Sequence, residues 1–101
     1  MTLEDKALKI IETYSPRKQV KYMFTELSEL QEAITDYEYV EAYKGSPAEL
    51  MHKEHIIEEI ADVQLMLNQF KEYYDVSDAY IYEIMNEKAD RQLKRIKEEG
   101  K

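Results

Sequence analysis

At 101 residues with two glycines, two prolines and no cysteine, the chain has room for one domain. It argues against a β-rich fold, and it excludes a disulfide framework or a thiolate nucleophile. The formal net charge of −8 argues against a nucleic-acid polymer or an anionic membrane as partner, since both demand a basic surface; on charge alone plain solvation of helix faces is the favoured reading and divalent-metal binding the alternative.

In chain order, Leu3 to Tyr14 carries Leu3, Ala7, Leu8, Ile10 and Ile11, a short first helix that must end before Ser15-Pro16. From Arg17 to about Tyr43, the positions Val20, Met23, Leu27, Leu30, Ile34 and Tyr37 alternate by three and four, which predicts a long second helix with one apolar face. Gly45 supplies a stop. Ser46-Pro47-Ala48-Glu49 then reads as an N-cap, a proline at the first helical position and a capping-box glutamate. A third helix is predicted from Pro47 to about Tyr74 with the stripe Ile56, Ile60, Val63, Leu67, Phe70 and Tyr74. Ile57, Leu65 and Met66 lie off that stripe, so this helix should touch several neighbours, a second subunit among them. Asp75, Ser77 and Asp78 break the chain, and a last helix turns Ile81, Met85, Ala89, Leu93 and Ile96 inward. The expected architecture is a single all-α domain over residues 1–101. It resembles a four-helix bundle with two long antiparallel central helices and is expected to form a homo-oligomer, dimer or tetramer. No apolar run approaches the ~20 residues of a membrane span, and the N-terminus MTLEDKALKI is too polar for a secretory signal, so a cytoplasmic protein is expected.

Two acid pairs, Glu26/Glu29 and Glu59/Asp62, stand out from the other acid pairs at this spacing because of where the hairpin would put them. At ~100° per residue, Glu26 and Glu29 lie about 75° and 135° from their stripe, and Glu59 and Asp62 about 55° and 115° in the same sense. A twofold between antiparallel helices carries both pairs to one side. Their distances from Gly45 along the helices also differ by only ~3 Å. Four converging carboxylates need raised pKa values or a cation, and an all-oxygen set selects Mg²⁺ or Mn²⁺, ions that also bridge phosphates. Lys88, Arg91 and Arg95 lie about 75° to 135° off the last helix's stripe and would flank the same cleft if that helix packs beside the hairpin.

With these residues in view, the chain resembles the MazG-type all-α nucleoside triphosphate pyrophosphohydrolases, whose signature is Glu-x-x-Glu, an intervening loop and helix, then Glu-x-x-Asp. The matching strings are QVKYMFTELSELQEAI and HIIEEIADVQLML, extended weakly by MNEKADRQLKRI. The chain departs from many members in having Thr25-Glu26 where they carry paired acids, and in a long interval between motifs. The resemblance implies that Glu26, Glu29, Glu59 and Asp62 are catalytic metal ligands for Mg²⁺ or Mn²⁺. It also implies that Asn86, Lys88, Arg91 and Arg95 bind the nucleotide substrate. The implied reaction is attack of water on the α-phosphorus of a nucleoside triphosphate, giving the monophosphate and pyrophosphate, with Glu58 or Glu29 as general base.

Phosphoribosyl-ATP pyrophosphohydrolysis shares the acid pattern, and a non-enzymatic helical oligomerisation or interaction module would make the acids ordinary solvated faces. Glu49-x-x-His52 has the form of half a di-iron motif whose second half is missing, so His52 and His55 are read as surface or second-shell residues. The nine tyrosines at helical spacing are read as packing residues, with base stacking as the alternative.

Overall fold

The computed structural model describes residues 1–101. Four α-helices and one short 3₁₀ turn follow each other with no strand: α1 Leu3–Tyr14, α2 Pro16–Glu38, the 3₁₀ turn Glu41–Tyr43, α3 Ala48–Tyr73 and α4 Asp78–Glu98. No helix is long and apolar enough to cross a membrane. The starts of α1, α2 and α4 each have a side-chain cap. Thr2 and Asp5 form a reciprocal capping box on α1. Ser15 ends α1 through its N–H to the Ile11 carbonyl and starts α2 by accepting from the Lys18 N–H, with Pro16 at the first helical position. Ser77 caps α4 by accepting from the Tyr80 N–H.

The connection between α2 and α3 differs from the predicted capping box. Helix α2 stops at Glu38, five residues earlier than expected, and the chain turns through Glu41–Tyr43 and Gly45, whose φ of +77° suits glycine. The Ser46 hydroxyl donates back to the Tyr43 carbonyl instead of capping α3. Glu49 accepts from the Gly45 N–H at 3.1 Å and from the Tyr37 hydroxyl at 2.7 Å, tying the turn to the end of α2. The Ser46 N–H that a capping-box glutamate would take donates to the Tyr43 carbonyl, so α3 starts without a side-chain cap.

The Tyr37–Glu49 bond near the turn and the Gln19–Gln69 amide bond at the far end fix α2 and α3 as an antiparallel hairpin. The seam is a narrow one. On α2 it consists of Gln19, Met23, Glu26, Leu30, Ala33 and Tyr37, and on α3 of His52, Ile56, Glu59, Val63, Met66 and Phe70, all buried or half-buried. This corrects the predicted packing faces: Val20, Leu27, Ile34, Ile60 and Leu67 stay exposed while Gln19 and Ala33 go in. One helix can cover only one strip of its neighbour, so a broad apolar stripe is left half open. Helix α1 lies mainly on α3 and closes Ala7 and Ile11 completely.

Helix α4 packs against none of the others. Its expected inward residues, among them Met85, Leu93 and Ile96, are exposed. Asp75 takes a positive φ of 55° in the preceding turn, and a Lys71–Asp78 ion pair holds the first turn of α4 to the end of α3. Beyond that point the helix diverges. The bundle of four helices predicted for one chain is therefore three packed helices and a fourth that stands apart.

Candidate functional site

Glu26 and Glu59 sit within the hairpin seam because each occupies a position of its three-four repeat, where an apolar residue is expected. The Glu59 side chain is only 12% exposed. Glu29 and Asp62, one turn along on the same flank of each helix, are exposed at the edge of the seam. One carboxylate oxygen from each of Glu26, Glu29 and Glu59 lies within 4.8 Å of the other two. Asp62 is close enough to act on Glu26 electrostatically. The structure thus brings Glu26, Glu29 and Glu59 to one place, with Asp62 beside Glu26 in the wall of a shared cleft, and with Glu26 and Glu59 deeper in the seam than their predicted angles allowed.

The cluster is electrostatically incomplete. Glu26 Oε2 and Glu59 Oε2 are sealed from solvent and have no hydrogen-bond partner. An orphaned buried polar atom is costly, the more so when it belongs to an ionised group. Burial first, then the charges of Glu29, Asp62 and Glu59, push the Glu26 carboxyl above its ordinary range. The lysine ion pairs of the chain all involve other acids, and the basic side chain within 4 Å of the cluster is the imidazole of His55, whose Nδ1 is 4.0 Å from Glu59 Oε1. An all-carboxylate donor set with two oxygens lacking any proton donor fits a hard divalent cation and suits a soft one poorly.

Two clefts adjoin the acids. One, of about 380 Å³, opens between α1, α2 and α3, with Tyr14, Tyr22, Lys18, Glu26 and Asp62 in its walls and the Gln19–Gln69 pair beside them. The two amides are almost fully buried and joined at 2.7 Å. The other cleft, of about 330 Å³, runs toward the hairpin turn and is lined by Glu29, Glu32, Asp36, His55 and Glu59. Sequence reasoning missed Gln19 and Gln69. The available signal was their place in the three-four repeat, where a polar residue needs a polar partner across the seam.

The predicted substrate-binding residues Asn86, Lys88, Arg91 and Arg95 are all exposed on α4. Because α4 packs against none of the other helices, the structure does not bring these four residues to the acids of their own chain. His52 stacks on the Tyr43 ring with centroids 3.9 Å apart, a packing role at the turn. Glu58 is exposed on α3 outside the three-acid cluster. Compared with known proteins, the chain matches no family model, no curated protein and no solved structure.

Proposed function

We propose that this chain is a magnesium-dependent nucleotide pyrophosphohydrolase of the MazG type, working in the cytoplasm as a homo-oligomer and cleaving a nucleoside triphosphate to the monophosphate and pyrophosphate. The observation that carries the reading is the pair of sealed, unpartnered carboxylate oxygens of Glu26 and Glu59 within a cluster of acids. A structural seam would place apolar groups there, because an orphaned carboxylate destabilises the free protein until it is neutralised by a proton or compensated by a cationic ligand.

Glu26, Glu29, Glu59 and Asp62 would hold Mg²⁺, with Mn²⁺ the alternative. When bound, such an ion neutralises phosphate charge and lowers the pKa of water. The residues of the chain divide the remaining work. Glu29, at the exposed mouth of the cluster, accepts a proton from water as its oxygen bonds to the α-phosphorus and the α–β anhydride bond breaks, releasing pyrophosphate. The cleft of about 380 Å³ beside Glu26 and Asp62 is large enough for a base and ribose, and Tyr14 and Tyr22 offer aromatic faces there. Lys88, Arg91 and Arg95, with Asn86, would contact phosphate only in an assembly that lays α4 against a hairpin, that of its own chain or of another copy.

The test is pyrophosphate release from a panel of nucleoside triphosphates with Mg²⁺, with Mn²⁺ and with chelator. Release that requires the ion, and that Glu59→Gln lowers by at least roughly 100-fold with helicity intact, supports the reading. Cleavage confined to phosphoribosyl-ATP would reassign the substrate. No release from any nucleotide, with wild type and Glu59→Gln alike, would leave a helical interaction module.

A further inference from the structure

Gln19 and Gln69 are nearly sealed in the seam, 6% and 3% exposed, yet their mutual bond uses only part of what two carboxamides offer. Gln19 Nε2 donates to Gln69 Oε1 at 2.7 Å. That leaves Gln19 Oε1 and Gln69 Nε2 with no partner in the chain, and neither is among the atoms cut off from solvent. Both residues stand in the wall of the cleft of about 380 Å³ between α1, α2 and α3, so the free acceptor and the free donor open there. Polar groups this deep are ordinarily satisfied, and here the partner, water or ligand, enters from the cleft.

The register of the hairpin gives this cleft two ends. The amides are bonded across the seam, and seven residues toward the turn on each helix stand Glu26 and Asp62, level with each other. Seven residues are two turns, ~10 Å along each helix. A ligand lying along the cleft meets the amides at one end and the acids at the other, with Tyr14 and Tyr22 in the wall. A nucleotide has the same polarity, with a hydrogen-bonding base edge at one end and phosphate at the other.

The free amide atoms match such an edge. Adenine and cytosine carry an exocyclic N–H₂ donor beside a ring-nitrogen acceptor, while guanine and uracil carry a carbonyl acceptor beside a ring N–H, the same pair in reverse order. An amide oxygen next to an amide N–H₂ meets one order. A half-turn of both carboxamides meets the other: Gln69 Nε2 then donates to Gln19 Oε1, the mutual bond is kept, and the free donor and acceptor change places. The reversal needs little rearrangement, because the oxygen and nitrogen of a carboxamide are nearly equal in size and its terminal torsion is two-fold.

We propose that Gln19 and Gln69 read the hydrogen-bonding edge of a nucleobase held in this cleft, and that their joint reversal admits amino and keto bases alike. The choice of a nucleobase as ligand rests on the proposed pyrophosphohydrolase function. The reversible donor–acceptor pair rests on the seam itself.

NMR titration of the full chain with nucleosides in chelator tests the assignment independently of hydrolysis. Adenosine and inosine, which carry donor and acceptor in opposite order on one ring system, should each shift the side-chain N–H₂ signals of Gln19 and Gln69, with dissociation constants within roughly tenfold of each other. Purine riboside, which is adenosine without its exocyclic amine, should bind at least roughly tenfold more weakly, because it leaves a buried amide atom unpaired. In Gln19→Leu/Gln69→Leu, adenosine should fall to the level of purine riboside. No nucleoside binding at roughly 10 mM, equal binding of adenosine and purine riboside by wild type, or a difference that persists in the double variant overturns the assignment. A preference of more than roughly 100-fold between adenosine and inosine overturns the reversal. Should the double variant fail to fold, the wild-type comparison and the amide signals decide. Nucleoside binding of the expected kind without pyrophosphate release from any triphosphate defeats the hydrolase reading and leaves the role of the amides standing; release that is indifferent to the base edge does the opposite.

Discussion

At the scale of single residues, the carboxylates of Glu26 and Glu59 and the amides of Gln19 and Gln69 are the informative exceptions to an apolar seam. The amides satisfy each other at 2.7 Å. Gln19→Leu alone should therefore leave Gln69 buried without its partner and cost about 1–3 kcal/mol in chemical denaturation, while the Gln19→Leu/Gln69→Leu double variant should recover most of that loss. The carboxylates have no such partner, so replacing one should affect stability differently with and without metal. Glu26→Gln supplies an N–H₂ to the neighbouring acids and should raise Tm in chelator, yet abolish the further rise that millimolar Mg²⁺ gives wild type. A Tm that falls in chelator, or a magnesium-induced rise that persists, would contradict the cation-binding role of the cluster. Ile11, closed off completely between helices, gives a measure of ordinary packing: Ile11→Ala should cost roughly 2–5 kcal/mol.

At the scale of elements, the turn between α2 and α3 is held by one backbone conformation and one acid. Gly45 sits at φ +77° with open space where a Cβ would go. Gly45→Ala should therefore cost about 1–2 kcal/mol through conformation alone, with no clash to relieve. Glu49 accepts from Tyr37 first and from the Gly45 N–H second, which holds its carboxyl below the ordinary range. The same bond pushes the Tyr37 phenol up to about 12. A lowered carboxylate contributes stability that is present above its ordinary pKa and lost as pH falls through the folded value. A raised phenol contributes stability that is complete below about 10 and lost as pH rises toward about 12. Wild type should thus lose stability at both ends of the range, and Tyr37→Phe should flatten the alkaline loss in a Tm-versus-pH series. An alkaline slope unchanged in Tyr37→Phe would show that another group titrates there.

At the scale of the molecule, an acid cleft on one side of a hairpin, an open apolar face on the other and a detached α4 leave the chain with more surface than a monomer of its mass should have. Apolar exposure of this kind couples folding to association, so the melting temperature should climb with protein concentration by several degrees between micromolar and hundreds of micromolar chain. A concentration-independent Tm would speak for a self-sufficient monomer.

The amino-acid order by itself determined the helices, their approximate ends and the flank on which each acid pair leaves its helix. These follow from local rules: a three-four spacing, caps at Thr2, Ser15 and Ser77, a left-handed glycine at the turn, and a rotation of 100° per residue. The tertiary structure decided which part of each broad stripe is used. The seam took Gln19, Glu26, Ala33 and Glu59 and left Val20, Leu27 and Ile34 outside, because a single neighbour covers one strip and polar pairing across the helices chose which. It also placed Glu49 on Tyr37 instead of on its own helix start, and sent Lys88, Arg91 and Arg95 away from the acids. Periodicity specifies the direction in which a side chain leaves its helix; whether another helix stands there depends on contacts far apart in sequence, or on a second chain.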